Sequence, residues 1–190
     1  MKKILIIVII SLLLLTGCTG KPTEDAHPEW DDSWLRMGDV LAAEKPSGFE
    51  PGESNDLLSV SGLYYATWTR GKGEKMTNEQ GRDATVYDAQ IYLLLKEGKS
   101  EEASRADVED WIKREYDSYA IGDQHSVTVN GQEFTLLFLQ AARAETPYTK
   151  GYAAFALRGA NAITVELLSR EDSGEDLEKI LLDFLNGIHY

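Results

Sequence analysis

The chain has 190 residues, a formal charge of −13 and one cysteine. Hydrophobic residues make up 43% of it and charged residues 27%, which is typical of a folded domain and not of a disordered or fibrous chain. The acidic charge repels phosphate backbones and therefore argues against nucleic-acid binding. A single cysteine excludes both an intrachain disulfide framework and a cysteine-based metal site.

The N-terminus has the layout of a secretory signal. Met1-Lys2-Lys3 is followed by an apolar run from Ile4 to Leu15. The run falls within the roughly 7–15 residues of a signal-peptide core and is shorter than the about 20 residues that cross a bilayer. We therefore predict that residues 1–17 are a signal peptide.

The four residues at the end of this signal are Leu15-Thr16-Gly17-Cys18, and they resemble the lipobox of bacterial lipoproteins. The resemblance implies that the Cys18 thiol receives a diacylglyceryl group and that cleavage makes Cys18 the first residue. Two acyl chains anchor a protein stably, whereas a single chain binds only marginally. The implied location is outside the cytoplasm, anchored to a bacterial membrane. The alternative is an ordinary signal peptide with a cysteine near its cleavage site.

Residues 18–34 contain two prolines and five acidic residues and have no apolar period. This composition predicts an extended acidic tether behind the lipidated cysteine. Trp30 and Trp34 are the residues through which the tether would dock onto the folded domain. We expect residues 35–190 to form a single α+β domain.

Two amphipathic helices are predicted in this domain. The first covers 104–119, with Ser104 as the N-cap, and the second covers 173–187, with Ser173 as the N-cap and Gly187 at the end. The apolar stripe of the first consists of Val108, Trp111, Ile112, Tyr116 and Tyr119, and that of the second of Leu177, Ile180, Leu181, Phe184, Leu185 and Ile188.

The remaining segments are rich in β-branched and aromatic residues, which indicates strands. The predicted strands are 62–70, 84–96, 124–130, 132–140, 152–158 and 162–169. Asn130-Gly131 predicts a tight hairpin turn. The middle strands are apolar on both faces, so both faces of the sheet must be covered. We expect a mostly antiparallel sheet of about six strands sandwiched between the two helices.

The order of the elements is strands, one helix, four strands and a closing helix. In this order and in hydrophobic pattern, residues 35–190 resemble the PsbP-like α/β/α sandwich, a family that includes DcrB-type bacterial lipoproteins. The resemblance implies the sandwich fold and a small accessory or binding protein at a membrane. It involves no residue motif, so it assigns no functional residue.

The chain contains no recognisable catalytic motif. It lacks a Gly-x-Ser-x-Gly elbow; His27 lies in the tether and His189 is next to last, while His125 is interpreted as a histidine on a partly buried strand edge. The acidic run 171–176 lacks the spacing of an EF-hand and is interpreted as a solvated helix start. We predict no catalytic residue, no metal and no cofactor.

One stripe of side chains is a candidate binding surface. Tyr64, Ala66, Trp68 and Arg70 share a face of their predicted strand and lead to a basic tip that includes Lys72. An exposed stripe of this kind would contact a partner or ligand. A buried one would be core beneath a helix, the commoner position of aromatic side chains. Tyr64, Trp68, Arg70 and Lys72 are the candidate binding residues.

The leading hypothesis is a membrane-anchored extracytoplasmic lipoprotein that acts as an accessory or binding module for an envelope protein or a small ligand. The alternatives are an envelope hydrolase with a carboxylate-based or cation-assisted site, and a passive spacer. A hydrolase requires convergent carboxylates with shifted pKa values in a concave pocket. A binding module requires an exposed apolar or aromatic patch, and a spacer predicts neither.

Overall fold

A computed structural model describes residues 29–31, 33–54, 62–77, 83–141, 147–170 and 176–190. The predicted signal peptide, Cys18, His27, Ser173 and most of the acidic run 171–176 lie outside the described residues. No helix in the described ranges is long and apolar enough to cross a membrane.

The described part of the chain forms two helices and twelve strands. The helices are α1 (Glu101–Ser118) and α2 (Leu177–Asn186). The strands are β1 (Leu35–Met37), β2 (Leu41–Ala43), β3 (Glu50–Ser54), β4 (Leu63–Arg70), β5 (Glu74–Thr77), β6 (Asp83–Val86), β7 (Ala89–Glu97), β8 (Tyr119–Val129), β9 (Gln132–Ala141), β10 (Lys150–Arg158), β11 (Asn161–Ser169) and β12 (Ile188–His189).

Seven of these strands form one antiparallel sheet in the order β3-β4-β7-β11-β10-β9-β8. The strands that the sequence shows to be apolar on both faces, β9 and β10, lie inside it. Strands β1, β2 and β12 form a small separate sheet, and β5 and β6 form a hairpin. The α+β class and the antiparallel pairing are confirmed, with seven strands in the main sheet instead of about six.

The two helices cover opposite faces of the main sheet. The buried face of α2 packs on the larger core, where the Phe184 ring meets Trp68 of β4 edge to face with centroids 5.0 Å apart. On the other face, α1 packs over β8, β10 and β11. The apolar cluster beneath α1 consists of Leu137, Leu139, Ala153 and Phe155. The predicted arrangement of a sheet between two helices is therefore confirmed.

Both helices begin at residues other than those predicted. Helix α1 follows Ser100, whose Oγ accepts a hydrogen bond from the Ala103 N–H at 3.2 Å, so Ser104 is not the N-cap. Ser104 is fully buried inside the helix. Helix α2 follows Asp176, whose carboxylate accepts from the Lys179 N–H at 3.0 Å. Because serine and aspartate are good N-caps at several neighbouring positions, the local pattern did not decide between them.

Two predicted strands have different bounds in the structure. The segment 84–96 is divided into β6, which pairs with β5, and β7, which enters the main sheet. The segment 124–130 is the second half of β8, which begins at Tyr119 directly after α1. Tyr119 therefore belongs to the sheet and not to the helix stripe.

The predicted hairpin turn between β8 and β9 is confirmed. Asn130 has a φ of +50° and Gly131 a φ of +76°, so both central residues are in the left-handed region. This is the backbone of a type I′ turn, whose twist matches that of the two strands it joins.

The end of the predicted tether packs on the folded domain. Trp30 is buried, and its carbonyl accepts a hydrogen bond from Arg36 Nη2 at 3.2 Å. Trp34 stacks on His189, with ring centroids 3.9 Å apart and planes 8° from parallel. Both tryptophans therefore contact residues of the domain itself.

Candidate functional site

The stripe predicted on β4 lies mostly in the core. Trp68 is 4% exposed and Ala66 is 2% exposed, while Tyr64 is half-buried and hydrogen-bonds to Glu97. Side chains alternate along a strand, and the even-numbered positions of β4 face α2. Trp68 is thus a core residue and not a surface residue.

Of the two basic candidates at the end of β4, Arg70 packs on the domain and Lys72 is exposed. The Arg70 guanidinium lies 5.0 Å from the centre of the Phe49 ring, a cation–π distance. Phe49 belongs to the core, so Arg70 covers the edge of the core. Lys72 is exposed in the turn that follows β4. The predicted basic tip therefore presents Lys72 to solvent, while Arg70 is engaged with the domain.

The odd-numbered face of β4 carries a surface that the sequence analysis missed. Leu63 and Tyr65 of β4 lie beside Tyr92 and Leu94 of β7, with Tyr65 directly opposite Leu94. The Tyr65 and Tyr92 rings stack with centroids 5.9 Å apart. All four side chains are partly exposed, and none is among the described residues that pack beneath either helix. We call Leu63, Tyr65, Tyr92 and Leu94 the aromatic shelf.

The shelf remains partly open because α1 lies to one side of it. The helix packs over β8, β10 and β11, and it reaches β7 through an ion pair in which Lys96 Nζ lies 2.6 Å from Asp107 Oδ1. Strands β4 and β7 continue beyond the edge of the helix. Because Trp68 is even-numbered and Tyr65 is odd-numbered, the sequence could have indicated that both faces of β4 carry aromatic residues. It could not have indicated which face a helix covers.

A cleft of about 580 Å³ continues the shelf along the same face of the sheet. Thr67, Thr69 and Gln90 form its floor, and β3 and β6 form its walls. The Tyr148 hydroxyl donates a hydrogen bond to Gln90 Oε1 at 2.9 Å and so fixes the amide. The volume is within the range of small-ligand sites, about 300–1,000 Å³. Its lining is mainly hydroxyl, amide and carboxylate groups.

Two carboxyl groups meet beneath the C-terminal half of α1, next to the shelf. Glu115 of α1 hydrogen-bonds Glu166 of β11, and Glu166 is the cross-strand neighbour of Tyr92. Glu115 is 9% exposed, and its Oε2 has no hydrogen-bond partner among the described residues.

The surroundings of this pair favour the protonated form. Burial, followed by the charge of Glu115, raises the pKa of Glu166 to about 7. Burial also raises the pKa of Glu115, while the Arg114 guanidinium acts in the opposite direction on both. Two carboxyl groups in contact repel each other when both are ionised, so loss of the last proton from the pair is disfavoured.

The two histidines of the described residues are bonded to carboxylates. His125 has one ring nitrogen 3.2 Å from Asp123 and the other 3.2 Å from Glu178 of α2. His189 Nε2 lies 2.7 Å from Glu44 Oε1. The His125–Glu178 contact joins β8 to α2. The His189–Glu44 contact joins β12 to the residue after β2. Within the described ranges, no group of three or more His, Cys, Asp or Glu side chains could hold a metal ion.

No protein-family model matches the chain, and a comparison with curated proteins found no match. Among solved structures, it is similar to the cyanobacterial PsbP (CyanoP) of Synechocystis sp. PCC 6803, at 10% identity over 76% of this chain and 94% of that chain, with a TM-score of 0.41. It is also similar to the Ran-binding protein Mog1p of Saccharomyces cerevisiae, at 12% identity over 80% of this chain and 90% of that chain, with a TM-score of 0.42. At TM-scores below 0.5, these similarities assign neither a function nor a partner to this chain.

Proposed function

We propose that this protein is a membrane-anchored extracytoplasmic lipoprotein whose folded domain binds an envelope protein or a small ligand at the aromatic shelf. The anchor is proposed from the signal and from Cys18. The observation that carries the binding role is the stacked pair of Tyr65 and Tyr92, which stays partly exposed on the sheet beside α1.

Tyrosine pairs suit this role for a physical reason. Each ring offers a large apolar area at a low cost in side-chain entropy, and its hydroxyl group can still form a hydrogen bond. The shelf is also rigid, because β4 and β7 each pair with strands on both sides. A preorganised surface loses little conformational entropy on binding. The acidic charge of the chain favours a neutral or basic partner.

The binding proposal is tested by site-specific cross-linking in the full chain in its native host. A photo-reactive phenylalanine analogue replaces Tyr65 or Tyr92 in two variants and Tyr116 in a third. Tyr116 is the matched control, because it is 53% exposed but lies on α1, away from the shelf. We expect a discrete adduct from positions 65 and 92 and none from position 116. Equal adducts from all three positions, or none from the shelf, would contradict the proposal.

The anchoring proposal is tested by Cys18→Ser. Without the thiol no thioether to a diacylglyceryl group forms, so we expect the variant to lose the lipid and to leave the membrane fraction. Mass measurement of the N-terminal peptide and fractionation of the host give the result. A serine variant that is cleaved at the same bond and stays with the membranes would refute anchoring through Cys18.

One observation favours the alternative of an envelope hydrolase. A carboxyl group with a raised pKa is a candidate general acid, and the Glu115–Glu166 pair provides one. The pair lies between α1 and β11, however, and neither carboxyl group lines the cleft. Because the acid and the concave site do not coincide, we favour the binding role.

A further inference from the structure

Helix α1 packs on the sheet through both apolar and polar contacts. Of its 18 residues, only Ser104 and Glu115 are buried. Val108, Trp111 and Ile112 are only half-buried over the apolar cluster beneath the helix. This apolar packing ends at Ile112, and from Lys113 to Ser118 the only buried side chain is that of Glu115. The contact made by Glu115 therefore has a large share in how firmly the last turns of α1 dock.

Three polar contacts follow one another along α1. Ser104 Oγ donates a hydrogen bond to the Ala160 carbonyl at 2.5 Å, and Asp107 pairs with Lys96. Both contacts lie in the N-terminal half of the helix. In the C-terminal half, the contact is the hydrogen bond between Glu115 and Glu166.

This third contact differs from the other two because it needs a proton. Two ionised carboxylates have only acceptor oxygens, so a hydrogen bond between them requires one carboxyl to be protonated. Loss of that proton would leave two negative charges in a buried interface, and Glu115 Oε2 has no described donor to compensate.

The groups that face the pair come from each element around it. They are Arg114 on α1, Tyr92 on β7 and Tyr119 on β8, and Tyr148, before β10, lies near Tyr119. Burial, with the nearby carboxylates, raises the pKa of Tyr119 to about 12, and burial also raises the pKa values of Tyr92 and Tyr148. The tyrosines therefore stay neutral near neutral pH, and Arg114 is the charged residue of this set.

We propose that the proton shared by Glu115 and Glu166 is a latch that holds the C-terminal half of α1 beside the aromatic shelf. The regulatory meaning of the latch rests on the proposed function, since Glu166 adjoins Tyr92 and α1 borders the shelf. When the proton leaves, the end of the helix loosens and the border of the shelf changes.

The raised pKa of Glu166 determines how the stability of the α1 contact changes with pH. The pKa of Glu166 is raised above its ordinary value, so the stabilisation from the pair is complete at pH values below that ordinary value. It is lost as the pH rises through about 7. The latch is therefore closed in mildly acidic surroundings and weakened in mildly alkaline ones.

Hydrogen exchange of the full chain, without any partner, tests the latch. We expect the protection of amides in the C-terminal half of α1 to fall about tenfold or more between pH 5.5 and 8.5, after correction for intrinsic exchange. The amides of the N-terminal half of α1, which is held by the Ser104 and Asp107 contacts, serve as the internal reference and should keep their protection.

Glu166→Gln and its control complete the test. The side-chain amide that this substitution introduces donates to Glu115 without a titrating proton, so E166Q should show nearly equal α1 protection at both pH values. Glu115→Gln is the second variant if the first does not fold. Glu109→Gln, at an exposed position of the same helix, should keep the wild-type response. A wild-type α1 that is insensitive to pH, or an E166Q protein that responds like the wild type, overturns the latch.

The latch and the binding role can fail separately. Because exchange is measured without a partner, a pH-insensitive α1 overturns the latch and leaves the cross-linking result untouched. A pH response that E166Q abolishes, together with absent adducts at positions 65 and 92, supports the latch as a property of the fold and refutes the shelf as a binding site.

Discussion

On β4, two aromatic residues on opposite faces of the strand have different environments. Trp68 packs against Phe184 of α2, whereas Tyr65, on the other face of the strand, stacks on Tyr92 and stays partly exposed. The same residue class thus contributes to the core at one position and to a candidate binding surface at another. The difference arises because α1 and α2 cover different parts of the two faces.

This contrast predicts unequal effects of two truncations. Trp68→Ala removes a buried ring and leaves a cavity, so it should lower the free energy of unfolding by about 3–5 kcal/mol. Tyr65→Ala removes a half-buried ring and should cost about 1 kcal/mol. Denaturant unfolding of both variants gives the two values. Equal losses would show that the Tyr65 ring is as buried as the Trp68 ring.

At the scale of elements, the two helices dock by different means. The C-terminal helix α2 buries Leu177, Leu181, Phe184 and Leu185 in one apolar face. Helix α1 combines the half-buried Val108, Trp111 and Ile112 with a buried serine, an ion pair and a pair of carboxyl groups. Apolar burial changes little with pH, whereas a shared proton depends on it directly. We therefore expect the Glu115 contact of α1 to respond to acidity in a way that the apolar face of α2 does not.

The carboxyl pair predicts a pH-dependent part of the global stability. A group whose pKa is raised on folding stabilises the folded state at low pH and loses that contribution as the pH rises. Between pH 5 and 8, the wild type should therefore lose about 1–3 kcal/mol more than E166Q does. Denaturant unfolding of both proteins at several pH values measures the difference. Parallel pH curves for the two proteins would be the contrary result.

At the scale of the whole molecule, the two ends of the described chain meet. Trp34, just before β1, stacks on His189 of the last strand, and that strand pairs with β2. The point where the predicted tether joins the domain is thus fixed by the C-terminus. A partner bound at the shelf would be held at a defined distance from this junction.

Removal of the C-terminal ring should loosen the junction selectively. His189→Ala deletes the stack on Trp34 and the bond to Glu44, which together are worth about 1 kcal/mol. We expect faster hydrogen exchange of the amides at 33–36 in this variant. His125→Ala is the control, since His125 contacts α2 instead. Unchanged exchange at 33–36 in H189A would mean that the stack does not hold the junction.

The sequence by itself was sufficient for the features that depend on local order. Periodicity predicted two helices and an antiparallel sheet, and Asn130-Gly131 predicted its hairpin turn, because side-chain spacing and backbone preference act within a few residues. Apolar residues on both faces of β9 and β10 were enough to predict coverage by both helices. The signal and Cys18 also come from the sequence alone and stay predictions.

Only the tertiary structure decided which half of each face the helices cover. That choice leaves Tyr65 and Tyr92 partly exposed and places Trp68 in the core. It also brings Glu115 onto Glu166 from elements far apart in the chain. Strand alternation shows that two faces exist, but the packing of distant elements determines which one is buried. For the same reason, the raised pKa of Glu166 could not be read from its sequence neighbours: it results from burial beneath a helix that begins at Glu101, far earlier in the chain.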